Sequence, residues 1–264
     1  MGYTNSSMIS CTILSPNNSG ERTHKIDRIT PHCVVGQLTA EAIGSMFKNP
    51  DAKLSSNYGI GKDGKIGLYV PESMRSWCSS NRDNDQQAVT IECASDKNDP
   101  YTMNSTVYSM LIKLCVDVCK RNGKTKLLWF NDRDETLKYK PAKDEMVLTV
   151  HRWFANKACP GDWLYSRLGS LASEVTRQIS SKDTTTKQPA KKGNIYTVQV
   201  GAFSLKPNAQ LMKRKLQNAG FDTIVKQDGK LYTVQVGAFT AKNNAEAMVK
   251  KLKAAGFAAI IKNK

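Results

Sequence analysis

The most constraining feature of this chain is an eight-residue repetition. YTVQVGAF occupies residues 196–203 and returns unchanged at 232–239, 36 residues later. Asn208-Ala209 likewise returns as Asn244-Ala245, and Gly220-Phe221 as Gly256-Phe257. Self-similarity at a fixed period marks a duplicated supersecondary unit. Within the repeat, Tyr196, Val198 and Val200 alternate with Thr197 and Gln199, the two-residue period of a strand with one apolar and one polar face. Ala209, Met212, Leu216 and Ala219 then follow at steps of three, four and three, an apolar helical stripe, and Ala245, Met248, Leu252 and Ala255 repeat it. Gly220 and Gly256 are placed to cap these helices. TIVK and AAIIK supply closing strands. Two such units predict a small α+β domain, a four-stranded antiparallel sheet with two helices on one face. The other face is left open and polar, lined by Thr197, Gln199, Thr233 and Gln235, and is a candidate binding surface.

Charge narrows the partner. The 264 residues carry 39 Lys and Arg against 23 Asp and Glu, and residues 181–264 hold 16 of the former and only 4 of the latter. The C-terminal third therefore favours a polyanion: nucleic acid, an anionic membrane or an acidic cell wall. Clustered arginines and stacking aromatics, which a nucleic-acid surface needs, are missing, so no nucleic-acid partner is expected. No run of about 18 apolar residues occurs, so no membrane insertion is expected. The repeated segment closely resembles the SPOR domain, on both VQVGAF copies and the Asn-Ala pairs that follow them. The resemblance implies that residues 195–264 bind peptidoglycan through the open face of the sheet, favouring glycan strands stripped of their peptides.

Residues 181–194 contain SKDTTTKQPAKKG, which is polar, carries Pro and Gly and has no aliphatic side chain; it reads as a flexible linker. Residues 1–180 read as mixed α/β. KIDRITPHCVVG looks like a strand ending near His32, and residues 39–47 like a helix with Thr39 as N-cap. NYGIGKDGKIGLYV reads as a hairpin turning at Asp63-Gly64, and QAVTIECA as a buried strand. A helix is predicted over 105–121, ended by Asn122-Gly123. KLLWF and MVLTVHRWF read as strands, the mixed charges of RNGKTKLLWFNDRDETLKYKPAKD as a solvated loop around one of them, and 162–179 as one helix. All seven cysteines lie before residue 160, and their odd number suggests reduced thiols. Cys115 and Cys119 fall on the apolar face of the 105–121 helix with Leu111, Leu114 and Val118, as small core residues.

Three histidines are present. His32 and His151 each end an apolar run, Cys159 follows eight residues after His151, and His24 reads as a surface residue. Two imidazoles and a thiolate would give three protein ligands, the usual complement of a catalytic zinc with water in the fourth place. From spacing alone a second account stands beside it: hydrogen-bonded strand-end histidines and a core thiol.

HRWFANKACPGDWL resembles the signature of zinc N-acetylmuramoyl-L-alanine amidases of the type-2 family, which share the fold of peptidoglycan recognition proteins. THKIDRITPHCVVGQ, SSNYGIGKDGKIGLYV and AVTIECA agree with it in order, so the resemblance spans about residues 20–180. It is similar above all to endolysins of phages infecting clostridia and their relatives. It implies a mixed central sheet flanked by helices with a zinc cleft, Zn2+ held by His32, His151 and Cys159, and catalytic roles for Glu92 and Lys157. Ser56 stands where other branches carry a catalytic Tyr before the pair Asn57-Tyr58, so Glu92 is the expected catalytic group and Tyr58 is packing or cleft wall. The implied activity is hydrolysis of the amide between N-acetylmuramic acid and L-alanine in bacterial peptidoglycan. The alternative is a peptidoglycan-recognition protein without catalysis, and Cys159, which such proteins often lack, argues against it. MGYTNSSMISC has no basic region leading into an apolar stretch. The chain is therefore expected to be made in a cytoplasm and to reach the wall by holin-type release or non-classical export.

Overall fold

A computed structural model of the chain describes residues 2–180, 196–219, 221, 223–239 and 242–263. The expected linker, 181–194, and the expected cap Gly220 lie outside these residues. The chain divides into two compact units, Met1–Asp183 and Thr184–Lys264.

In the first unit β1 (Ile9–Thr12) and β2 (Asn18–Glu21) lead to β3 (Arg28–Cys33), α1 (Ala40–Met46), β4 (Tyr58–Ile60), β5 (Ile66–Leu68) and β6 (Met74–Ser76). Then come α2 (Arg82–Gln87), β7 (Ala88–Cys93), α3 (Ser105–Arg121), β8 (Lys126–Leu128), α4 (Arg133–Lys138), β9 (Glu145–Leu148), α5 (Asp162–Tyr165) and α6 (Leu168–Ser180). Seven strands form one mixed sheet in the order β1-β5-β4-β7-β3-β9-β8, and β2 pairs with β6 apart from it. Only β4 and β5, the expected hairpin, run antiparallel in the large sheet.

Local chemistry sets these elements. Thr39 caps α1, its hydroxyl accepting from the Ala42 N–H, and Asn104 caps α3 through the Val107 N–H. α3 and α6 turn Leu111, Leu114, Cys115, Leu171 and Val175 onto one face of the sheet, against Ile29, Ile91 and Cys93. On the other face Tyr69 packs with Ile43 of α1. A Cβ at Gly59 would stand 2.6 Å from the Tyr69 ring, so a side chain there has no room.

Three sequence expectations change. The strand expected over 146–154 stops at Leu148, and residues 151–153 form a 3-10 turn. The charged stretch after β8 contains α4, whose start is capped by Asp132 accepting from the Glu135 N–H. The single helix expected over 162–179 is two, α5 and α6, separated at Ser166-Arg167.

Central strand β3 contains a proline, a residue that normally marks a sheet edge. The Ile29 carbonyl accepts from Thr149 N on the β9 side, and residue 31 shares that parity, so the Pro31 nitrogen faces β9 without a hydrogen to give. Pairing of β3 with β9 covers only Arg28 and Ile29, while pairing with β7 continues to Cys33. The two strands part at Pro31, and His32 follows at the opening.

The second unit is β10 (Tyr196–Phe203), α7 (Lys206–Asn218), β11 (Ile224–Asp228), β12 (Leu231–Phe239), α8 (Lys242–Ala254) and β13 (Ile260–Asn263). Its antiparallel sheet runs β11-β12-β10-β13. Val198, Val200, Val234 and Val236 form its core with Ala209, Leu216, Ala245 and Leu252 of the helices. Gly256 closes α8 as expected, with Phe257 N–H bonded to the Leu252 carbonyl. The polar face is less open than expected: Thr197, Gln199 and Gln235 are only 7–8% exposed.

Candidate metal centre and cleft

Strand parity brings the chemistry to one face. In β3, Thr30 and His32 point away from the α3–α6 core, and in β7 Thr90 and Glu92 do the same. The parallel register sets Thr30 beside Thr90 and His32 beside Glu92. Below them Thr30 Oγ1 lies 2.7 Å from Thr149 Oγ1, and the Asn84 amide bonds both threonines, a buried polar floor that fixes β3, α2 and the end of β9 together.

Above that floor the donor atoms of His32, His151 and Cys159 all lie within 4.8 Å of one another. Cys159 Sγ is 3.3 Å from His32 Nδ1, and the two imidazole centroids are 5.1 Å apart. His151 Nε2 is 3.1 Å from Ser80 Oγ, which leaves its Nδ1 for the cluster. Glu92 Oε1 is 4.0 Å from His32 Nδ1 and 3.9 Å from Cys78 Sγ. Cys78, His32 and Glu92 form a second such group of donors sharing His32. Glu92 Oε2 is buried with no hydrogen-bond partner, as is His32 Nε2.

Burial governs the electrostatics. It pushes the Glu92 carboxyl up to about 7 and the Cys159 thiol well above its ordinary range. It lowers both histidines, helped by the neighbouring His151 at His32 and by Lys157 at His151. Neutral imidazoles are the form that binds a metal. Two nitrogens and a sulfur make a zinc-type donor set. In a tetrahedral zinc site, nitrogen and sulfur ligands stand about 3.6 Å apart, close to the spacing of His32 and Cys159. The residues present therefore fit zinc. A dication here would displace the thiol proton and draw Glu92 back toward its carboxylate form.

The cluster opens into a cleft of about 520 Å³ lined by Glu92, His151 and Lys157, with Phe47, Leu54 and Trp77 as apolar wall. Lys53, Arg75 and Arg82 line it too, and with Lys157 they are cations without an ion-pair partner among the described residues. Asp85, the other acid of the cleft, accepts from the backbone N–H groups of Cys78 and Ser79 and so holds their turn.

Other residues have structural places. Tyr58 is fully buried and donates to Glu72 Oε1 at 2.7 Å, so it is packing and not cleft wall. His24 is exposed beside Thr23, and Arg152 pairs with Asp162 at 2.8 Å. Trp129 stacks on Trp153. Sequence reasoning missed Cys78 and Ser80; each stands alone in the sequence with no spacing pattern to mark it. Thr197, Gln199, Thr233 and Gln235, in the second unit, line one shallow cup of about 80 Å³ together with Lys226 and Lys262.

Comparison with known proteins finds two families along the chain. Residues 192–263 match the SPOR domain family. Among solved structures, the peptidoglycan binding domain of the B. subtilis cell wall lytic enzyme CwlC is 39% identical, over 29% of this chain and 98% of that one, with a TM-score of 0.28. The catalytic domain of XlyA is 16% identical over 63% of this chain and 99% of that one (TM-score 0.45), and an AmpD derivative 16% over 68% and 99% (TM-score 0.43). No curated protein sequence matches the chain. Residues 22–162, more than half of the chain, match the N-acetylmuramoyl-L-alanine amidase family, and the chain belongs to it.

Proposed function

We propose that this protein is a two-part cell-wall hydrolase that cleaves the amide between N-acetylmuramic acid and L-alanine in peptidoglycan. Residues 1–180 form the zinc amidase, 181–194 the linker and 195–264 the wall-binding SPOR domain. The observation that carries the reading is the convergence of His32, His151 and Cys159 within 4.8 Å, with the Glu92 carboxylate beside them in register. Zinc bound there supplies a Lewis acid and lowers the pKa of water to about 7. Glu92, which lines the cleft, takes a proton from the attacking water and returns it to the leaving nitrogen. The Lys157 ammonium, exposed on the same cleft, stabilises the developing oxyanion. The cleft's cations suit the carboxylates of a peptide stem, and its apolar wall suits a sugar face. Recognition without catalysis is the weaker reading, because a binding groove has no need of a carboxylate paired with two imidazoles and a thiol.

The second unit holds the enzyme on the wall through its polar cup, which raises the effective concentration of substrate at the cleft. The role is that of an endolysin or autolysin, reaching the wall by holin-type release or non-classical export. The test is digestion of purified peptidoglycan with and without a chelator, followed by end-group analysis. New N-terminal alanine without new reducing sugar, abolished by chelator and restored by zinc, is the expected result. Tight wall binding with bound zinc and no release from several wall types would overturn it.

A further inference from the structure

The second unit carries more symmetry than its sequence repeat requires. Gln199 pairs with Gln235, its own counterpart 36 residues on, so a two-fold axis passes between them. Every other pairing whose counterpart lies among the described residues obeys that axis. Thr197 faces Ala238 while Thr233 faces Ala202, and Thr197 faces Lys262 while Thr233 faces Lys226.

Hydrogen bonds repeat as well. Gln199 Nε2 donates to the Gly201 carbonyl at 3.1 Å and Gln235 Nε2 to the Gly237 carbonyl at 3.0 Å. Thr197 Oγ1 donates to the Lys262 carbonyl and Thr233 Oγ1 to the Lys226 carbonyl, both at 3.3 Å. Gly201 and Gly237 both take the left-handed conformation, at φ 86° and 83°, so the same bulge re-aims both strands. The cup sits on this axis, because three of its lining pairs, Thr197/Thr233, Gln199/Gln235 and Lys226/Lys262, are repeat counterparts.

We infer that the cup is two equivalent half-sites and that it accepts a linear glycan in either chain direction. The inference rests on the proposed peptidoglycan-binding role of this unit. Each half offers the same set: a threonine oxygen acceptor, a glutamine oxygen with one spare N–H, and a lysine ammonium. A polar strand turned by 180° meets the same groups in the same places. Gln227 and Asp228 are the departures, since their repeat counterparts in the sequence are Asn263 and Lys264, and only at Asp228 does the charge differ. An exposed single carboxylate of this kind biases direction by no more than about fivefold. An enzyme held in either direction reaches peptide stems on both sides of its anchor along a strand.

The test uses the full chain, nitrogen-15 labelled, with a peptide-free hexasaccharide of alternating N-acetylglucosamine and N-acetylmuramic acid carrying a nitroxide at its reducing end. Broadening of the Lys226 and Lys262 amides by comparable amounts is the expected result. Broadening of one alone, with normal shift changes at Gln199 and Gln235, overturns the inference and leaves the glycan-binding reading standing. No shift changes at Gln199 and Gln235 overturn the glycan-binding reading and the inference together. As a second measure, Gln199→Ala and Gln235→Ala should weaken unlabelled hexasaccharide binding equally, within about twofold; a tenfold difference between them overturns the inference.

Discussion

Removal of the Ser80 hydroxyl tests how the candidate metal centre is held. His151 Nε2 lies 3.1 Å from Ser80 Oγ. With Nδ1 given to the metal, Nε2 carries the proton and Ser80 accepts it, which fixes the tautomer and the ring plane. Outer partners of this kind are worth about 10- to 100-fold in metal affinity, or about 1.4–2.7 kcal/mol. Ser80 is exposed and water competes for the bond, so the lower end, about tenfold, is expected. Backbone strain is a separate effect, because Ser80 has a φ of 61°. Ser80→Ala removes the hydroxyl and keeps that strain; Ser80→Gly removes both. Both variants should lose the same tenfold in zinc affinity, read by competition with a chromophoric chelator. The glycine variant should melt no lower than the parent in its metal-free form. Unchanged zinc affinity in both variants would refute the role given to Ser80, and a loss confined to alanine would assign the effect to the backbone.

Other outcomes follow from the same geometry. Glu92→Gln, nearly the same size, should lower turnover by about 10²- to 10⁴-fold while zinc stoichiometry is kept; activity within tenfold of the parent would remove Glu92 from proton transfer. Glu72 is fully buried and receives Arg121 Nη2 at 2.5 Å and the Tyr58 hydroxyl at 2.7 Å. Arg121→Met strands that carboxylate and should cost about 3–5 kcal/mol, a fall of roughly 6–20 °C in melting temperature for a unit of this size. The double variant Glu72→Gln/Arg121→Met should recover part of the loss, and a double variant as unstable as the sum of the singles would show that the pair is not coupled.

The elements that were legible in the sequence carry their own local signals. α3 has an apolar stripe, an Asn104 cap and an Asn122-Gly123 stop; the β4–β5 hairpin has Asp63-Gly64; the C-terminal sheet has its repeat. α4 was not legible, because its cap lies inside a run of mixed charge where no apolar stripe announces a helix. The break between α5 and α6 was not legible either, since YSRL holds neither Gly nor Pro. At the cleft, residue types could suggest His32, His151 and Cys159 as a set, and the parity of AVTIECA could suggest that Glu92 leaves the core. The partners that orient them, Ser80 for His151 and Cys78 for Glu92, are set by a turn that Asp85 holds through backbone N–H groups. The Glu72–Arg121 pair joins residues 49 apart. Contacts of that kind depend on tertiary closure and leave no local pattern.

The parting of β3 from β9 at Pro31 has a consequence for how the first unit assembles. The metal-type donors stand on opposite banks of that gap, and His32 and Cys159 are separated by 127 residues of chain. An unfolded chain does not present them together, so a metal ion held by these donors would bind the native state and clasp the two banks where β3 and β9 part. At a hundredfold excess over its dissociation constant such a ligand adds about 2.7 kcal/mol to native stability. In a unit of this size that corresponds to roughly 5–11 °C in melting temperature. The proline that keeps the strands apart makes room for the donor cluster, and an ion bound there would carry part of the fold's cohesion.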